Sequence, residues 1–243
     1  MTYCVGIAVN EGLVFISDSR TNAGVDNVST YSKMRCYGVA GERQFIICTA
    51  GNLATTQGII AQIERDMRDQ AETNLMTVGS VAEAAGYVGA LNLEQQKKNT
   101  GGGPVFEASL LLGGEVAGAQ ARLFRIYAEG NYIETSAQTS FLQIGESKYG
   151  KPILDRVLSM DTSLDRAALC GMVSMDATMR SNLTVGPPIE VCVYVRGSLQ
   201  AVRHVTYDED NNFLRDLKNN WNQQIEEAFD RLPPISWADG VAS

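Results

Sequence analysis

The segment Leu13-Val14-Phe15-Ile16 places four apolar side chains in a row, so a strand formed there is apolar on both faces. Such a strand needs cover on both sides. Phe45-Ile46-Ile47-Cys48 is similarly apolar. Strands of this kind call for two sheets packed face to face, each covered on its outside by helices.

The rest of the chain supplies those parts. Short apolar runs at 3–9, 13–18, 34–40 and 44–49 read as strands, separated by Asn-Glu-Gly, a longer polar loop and Gly-Glu-Arg. Two helices are expected next. In 52–73, Leu53, Ile59, Ile60, Ile63 and Met67 share one stripe, as do Val81, Ala84, Ala85, Val88 and Leu91 in 80–98. Ser80 with Glu83 has the capping-box spacing, and Lys97 and Lys98 suit a helix C-terminus. Gly101-Gly102-Gly103 lies between a helix and a strand, the reverse of a phosphate-binding order, and reads as a loop. Strands at 106–112, 122–128, 132–134 and 141–144 follow, then helices at 149–159 and 163–180, a strand pair at 190–195 and 200–206, and a helix over about 208–231 that Pro233-Pro234 stops. Elements grouped in this order point to an α+β layered fold rather than a doubly wound one. No linker or repeat divides the 243 residues, so 1–243 is expected to be one domain with 232–243 as a tail.

Composition narrows the function. A net charge of −8 disfavours nucleic acid or an anionic membrane as the partner. No apolar run has membrane-spanning length, and no signal-peptide pattern opens the chain, so a cytoplasmic location is expected. Five cysteines without a CxxC pair read as buried and reduced, and with one histidine, His204, no zinc site or other cofactor is expected.

A single distant histidine also makes an imidazole base for a nucleophile improbable. Loss of Met1 would leave Thr2 with a free α-amine, which titrates at ~7.7–8.0 and can serve as the base for its own hydroxyl. Asp18 at a strand end, Lys33 after a loop and the Thr49-Ala50-Gly51 turn complete a candidate constellation. Each has a plain structural explanation alone: a strand-end cap, a solvated loop cation, a positive-φ turn. All lie in the strand-rich first fifty residues, where adjacent strands can bring them to one sheet end. Thr2 is then the nucleophile, Lys33 the fixed cation that stabilises the alkoxide, Asp18 its orienting partner, and the Gly51 N–H an oxyanion donor.

Thr2, Ser17-Asp18-Ser19-Arg20, Ser32-Lys33-Met34 and Thr49-Ala50-Gly51 resemble the N-terminal signature of proteasome-type β subunits, a family of N-terminal-nucleophile hydrolases. Met1 to Gly6, Asp18 to Asp26, Ile144 to Pro152, Ser174-Met175-Asp176 and Arg180-Ser181-Asn182 are similar to its bacterial ancestral β-subunit branch, Anbu. The resemblance spans nearly the whole chain. It implies a four-layer αββα sandwich and a cytoplasmic bacterial threonine hydrolase that cleaves peptide or other amide bonds. It also implies assembly with itself into a homo-oligomeric ring or spiral, and it identifies no unfoldase partner. Positions matching Asp176 and Ser181 support the site, and those matching Thr21, Arg35, Thr49 and Leu53 bind substrate. The family's serine after the glycine matching Gly145 is here Glu146, with Ser147 next; an acid there alters the amine's environment or reflects a different substrate. Two rival expectations stay open: a hydrolase for one specific cellular product, and an inactive ring scaffold. The last helix, with Trp221 and Phe229, and the tail with Trp237 are candidate self-association surfaces.

Overall fold

The computed structural model describes residues 1–22, 28–98 and 106–235. It divides into two units, Met1–Glu209 and Asp210–Ser243. In the first, the elements are β1 (Tyr3–Val9), β2 (Gly12–Asp18), β3 (Arg20–Asn22), β4 (Val28–Thr30), β5 (Met34–Val39), β6 (Arg43–Gly51), α1 (Leu53–Arg68), α2 (Val81–Lys98), β7 (Ala108–Val116), β8 (Arg122–Ile126), β9 (Tyr132–Glu134), β10 (Phe141–Gly145), α3 (Lys151–Val157), α4 (Leu164–Ser181), β11 (Ile189–Val195) and β12 (Arg203–Tyr207).

Two five-stranded sheets form, ordered β10-β1-β2-β11-β12 and β5-β6-β7-β8-β9, with every pairing antiparallel. All seven residues of β1 and of β2 are buried, including the polar Ser17 and Asp18 that follow the apolar run at 13–16. One core cluster, with Phe15, Ile46, Leu111, Leu123 and Ile144, joins the facing sides of the two sheets. A second joins β6 and β7 to Ile59 and Ile63 of α1 and Ala84 and Val88 of α2. Helix α4 packs on β1, β2 and β11, and α3 packs on α4. The order of layers is helix, sheet, sheet, helix: an α+β, four-layer αββα sandwich.

Several boundaries differ from expectation for local reasons. The polar loop after β2 contains a two-stranded ribbon, β3 with β4, paired Arg20 to Thr30; polar three-residue strands carry no apolar alternation to reveal them. Helix α1 ends at Arg68, and Gln70 turns into the left-handed region at φ 52. Strand β7 continues through Gly113-Gly114, held by pairing to Ile46 and Phe45. The expected turn at Thr49-Ala50-Gly51 is the end of β6, which pairs through Gly51 with Ala108. The Ser80 box forms, with the Glu83 N–H donating to Ser80 Oγ at 3.1 Å, while the Glu83 carboxylate reaches back to the Gly79 N–H at 2.9 Å. Cys36 is exposed, against the expectation that the cysteines are buried; the other four are buried.

In the second unit α5 (Asn212–Asp230) is capped by Asn211, whose side chain accepts from the Phe213 N–H. It starts later than the stripe suggested, and it buries none of its side chains. Trp237 and the triple glycine at 101–103 lie outside the described residues. Among the described residues no helix is long and apolar enough to cross a membrane.

Candidate active site

Antiparallel pairing of β1 with β2 sets Cys4 opposite Ser17, so the start of β1 and the end of β2 share one end of the sheet. Thr2 and Asp18 meet there. The Tyr3 N–H donates to Asp18 Oδ1 at 3.0 Å, and the Gly186 N–H approaches Asp18 Oδ2 at 3.4 Å. Lys33 lies just before β5 and crosses from the second sheet. Its Nζ donates to Asp18 Oδ1 and to the Arg20 carbonyl, both at 2.7 Å. Asp18 is fully buried and Lys33 is 8% exposed. Lys33 is therefore no solvated loop cation, and Asp18 no simple strand cap. Burial raises the Asp18 carboxyl above its ordinary range, opposed by Lys33 and by the two N–H donors.

Thr49 fixes Lys33 from the other side, its N–H donating to the Lys33 carbonyl at 2.9 Å. Gly51 ends β6 at φ +113, where a Cβ would lie 2.3 Å from the Glu107 carbonyl oxygen, so only glycine fits. Asn52 then caps α1, accepting from the Thr55 N–H at 3.0 Å. The second constrained glycine is Gly145, at φ +77, packed so tightly on Thr2 that a Cβ would stand 2.0 Å from the Thr2 carbonyl oxygen. That oxygen accepts from the Glu146 N–H at 2.7 Å. Glu146 is buried; its carboxylate accepts from Asn182 Nδ2 and the Lys148 N–H, both at 3.3 Å.

These elements enclose a cleft of about 510 Å³. Thr2, Thr21, Lys33, Arg35, Thr49, Gly51 and Leu53 all line it. Seven sequence-predicted residues thus share one cavity, and Asp18 is tied to it through Lys33. Arg35 faces the same way as Lys33, by the two-residue strand period. Its guanidinium donates to the backbone carbonyls of Met34, at 2.8 Å, and Ser32, at 3.3 Å. Asp176 is buried on α4 and Ser181 is exposed at its end; neither is among the cleft-lining residues. Asn182, next to Ser181, reaches Glu146 and so links the end of α4 to the surroundings of Thr2.

The Met1 amine is held below its ordinary value of 8.0, first by burial and then by Lys33, while Asp18 and Glu146 pull the other way. Burial, reinforced by Lys33, therefore outweighs the two acids and favours a neutral amine at this end of β1. Among the described residues no group of three or more His, Cys, Asp or Glu is placed to hold a metal ion.

Three features escaped the sequence reading. Glu64 lines the cleft from α1, on the face that also presents Leu53, Gln57 and Ile60; their spacing of four, three and four residues is the signal that could have found it. Tyr3 OH lies 2.6 Å from Ser174 Oγ and accepts from Gln143 Nε2 at 2.8 Å, which pins β1 to α4 and β10. Burial pushes the Tyr3 phenol up to about 12, so it keeps its proton. Buried Glu190 accepts from Ser19 Oγ and Ser32 Oγ, each at 3.0 Å, and contacts His204 Nε2 at 3.0 Å. A lone acid inside Ile189-Glu190-Val191-Cys192-Val193-Tyr194 was its only mark.

The family model for the proteasome subunit matches residues 2–194 of the chain. The chain belongs to the proteasome subunit family. Solved structures agree in fold over almost the full length. Anbu, the ancestral β-subunit of Yersinia bercovieri, is 44% identical with a TM-score of 0.93, covering 97% of this chain and 99% of that one. Anbu from Pseudomonas aeruginosa, solved as a helical assembly, is 40% identical with a TM-score of 0.93 over 98% and 100% of the two chains. Anbu from Hyphomicrobium sp. strain MC1 is 39% identical with a TM-score of 0.90 over 97% and 100%. No curated protein matches. Within the proteasome family frame, the cleft of this chain opens where β1, β5, β6 and α1 converge.

Proposed function

We propose that this chain is a threonine hydrolase of the N-terminal-nucleophile type that cleaves peptide or other amide bonds through an acyl-enzyme. The observation that carries the reading is the buried Lys33–Asp18 pair, which presents a fixed cation in the cleft that Thr2 lines. Removal of Met1 frees the Thr2 amine. Thr2 Oγ attacks the amide carbonyl, and the amine takes its proton directly or through one water. Lys33 stabilises the developing negative charge, Asp18 keeps Lys33 oriented, and the Gly51 N–H donates to the oxyanion. The amine returns the proton to the leaving nitrogen, and water then cleaves the acyl-enzyme. Asp176 and Ser181 act behind this set, through the end of α4. Thr21, Arg35, Thr49 and Leu53 hold the substrate, with Glu64 opposing the charge of Arg35.

The chain works as a cytoplasmic homo-oligomer, a ring or spiral, in line with the helical assembly of the Pseudomonas aeruginosa relative. A narrower reading, a hydrolase for one specific cellular product, is favoured by the buried acid Glu146 where proteasome subunits carry serine. An inactive scaffold is the third reading. Intact mass after exposure to a threonine-directed electrophile separates them. A single adduct on Thr2, with Met1 gone, supports either enzyme; an unmodified chain that retains Met1 supports the scaffold.

A further inference from the structure

The chemistry above leaves the cysteines unused, and four of them are neighbours. Cys4 Sγ lies 3.8 Å from the Thr49 carbonyl oxygen, and Cys4 helps push the buried Cys48 thiol up. Cys48 in turn feels Cys192 and Cys36. At the outer end of this series Cys36 Sγ stands 3.9 Å from Cys192 Sγ. Cys4, Cys48 and Cys192 are fully buried, and Cys36 is exposed. The two end thiols belong to different sheets: Cys36 to β5, the edge of one, and Cys192 to β11 of the other.

We propose that Cys36 and Cys192 form an oxidation-responsive pair that closes into a disulfide between the two sheets when the protein meets a peroxide. The sulfurs must approach from 3.9 Å to bonding distance. Bonded sulfurs sit about 2.05 Å apart, so a closure of about 1.9 Å is needed, within the reach of a side-chain rotation at the exposed partner. Cys36 is the attacking end. Its hydrogen bond to Cys192 holds its thiol below the ordinary range, helped by Arg35 and opposed by burial and Glu190. Cys192 is pushed up, first by that hydrogen bond and then by burial, and so keeps its proton until the second step. The Cys36 thiol gives up its proton, the thiolate attacks one peroxide oxygen, the O–O bond breaks, and Cys36 becomes a sulfenic acid while the departing hydroxide takes up that proton and leaves as water. The Cys192 sulfur then attacks the sulfenic sulfur. The S–S bond forms, and the sulfenic hydroxyl leaves with the Cys192 proton as a second water. Two electrons pass from the thiols to the peroxide.

The cross-link would tie β5, whose Arg35 lines the cleft, to β11 of the other sheet. Strand β5 begins directly after Lys33, and Glu190, two residues before Cys192, holds Ser19 and Ser32. The test uses the full chain. It is treated with hydrogen peroxide, denatured, alkylated and weighed intact. The number of alkylated thiols should fall from five to three, with recovery on reduction, and peptide mapping should find the Cys36 and Cys192 peptides joined. Cys36→Ser should keep all its remaining thiols alkylatable, whereas Cys170→Ser should still lose two. Five alkylatable thiols after peroxide would overturn the proposal. So would Cys36 carried to the sulfinic acid beside an alkylatable Cys192, or a disulfide-linked dimer through Cys36.

Discussion

Gly145→Ala is the substitution for which the structure gives the sharpest expectation. A Cβ at this position would stand 2.0 Å from the Thr2 carbonyl oxygen, where contacts under 3.0 Å do not occur. Either β10 or the start of β1 must therefore give way by about 1 Å, and a displacement of that size at a reacting group costs on the order of 10²-fold in rate. The hydrogen bond from the Glu146 N–H to the same oxygen is stretched at the same time. The left-handed backbone, φ +77, adds its own strain of roughly 1–2 kcal/mol for a residue with a side chain. In a chain of this size that strain corresponds to a melting shift of about 2–8 °C. Gly197→Ala separates the two effects. Its φ is +73, yet a Cβ there meets nothing within 4 Å. The assay is the second-order rate of Thr2 labelling by a threonine-directed electrophile, which needs no knowledge of the substrate, beside thermal melting at fixed protein concentration. Gly197→Ala should lose stability and label at the parent rate. Gly145→Ala should lose at least as much stability and label about 10²-fold more slowly. Parent-like labelling of Gly145→Ala would refute the claim that Gly145 positions Thr2.

Thr2→Ala and Lys33→Ala should each abolish turnover while the oligomer persists; activity in Thr2→Ala near that of the parent would place the nucleophile elsewhere. Labelling should rise with pH as the Thr2 amine loses its proton. Burial and Lys33 lower the pKa of the Met1 amine at this end of β1, and the same surroundings are expected to act on the Thr2 amine once Met1 is gone, so the midpoint should fall below the ordinary α-amine value of about 8; a midpoint at or above it would contradict the electrostatic argument. Arg35→Ala should shift a peptide-library preference at the residue before the cleaved bond away from acidic or polar side chains, and Glu64→Gln should sharpen it; an unchanged profile in Arg35→Ala would remove Arg35 from the substrate pocket. Sedimentation should show an assembly, and a monomer of 26.3 kDa at micromolar concentration would sink self-association.

The legible parts of the fold were those with local causes. β1 and β9 fall at their expected bounds, because apolar runs with polar ends need no distant partner to define them. The ribbon β3–β4 was invisible, since its strands are three residues long and polar, and tertiary placement stabilises them. The site followed the same division. That Thr2, Lys33 and Gly51 come to one cleft could be anticipated from their places in the strand-rich first fifty residues. Glu190 could not, because its three partners come from residues 14 to 171 positions away in sequence.

Burial is what turns a plausible list of residues into an arrangement with chemical consequences. An exposed Lys–Asp pair contributes about 0–1 kcal/mol and orients little. Lys33 and Asp18 are withdrawn from water together, and removing one partner of such a pair leaves the other stranded at a cost of about 3–5 kcal/mol. An arrangement that expensive is poorly explained by stability, because well-packed apolar residues of similar size would serve as well or better. What an apolar pair could not do is hold a positive charge at the edge of a cleft that Thr2 also lines. The same reasoning reaches Glu146, a second buried acid whose backbone is bonded to Thr2. Its charge opposes the effect of Lys33 on the amine at the end of β1. Glu146→Gln should therefore lower the midpoint of the labelling profile, since removing the acid leaves Lys33 and burial less opposed. An upward shift, or none, would show that Glu146 serves the local fold alone, through Asn182 and the Lys148 N–H.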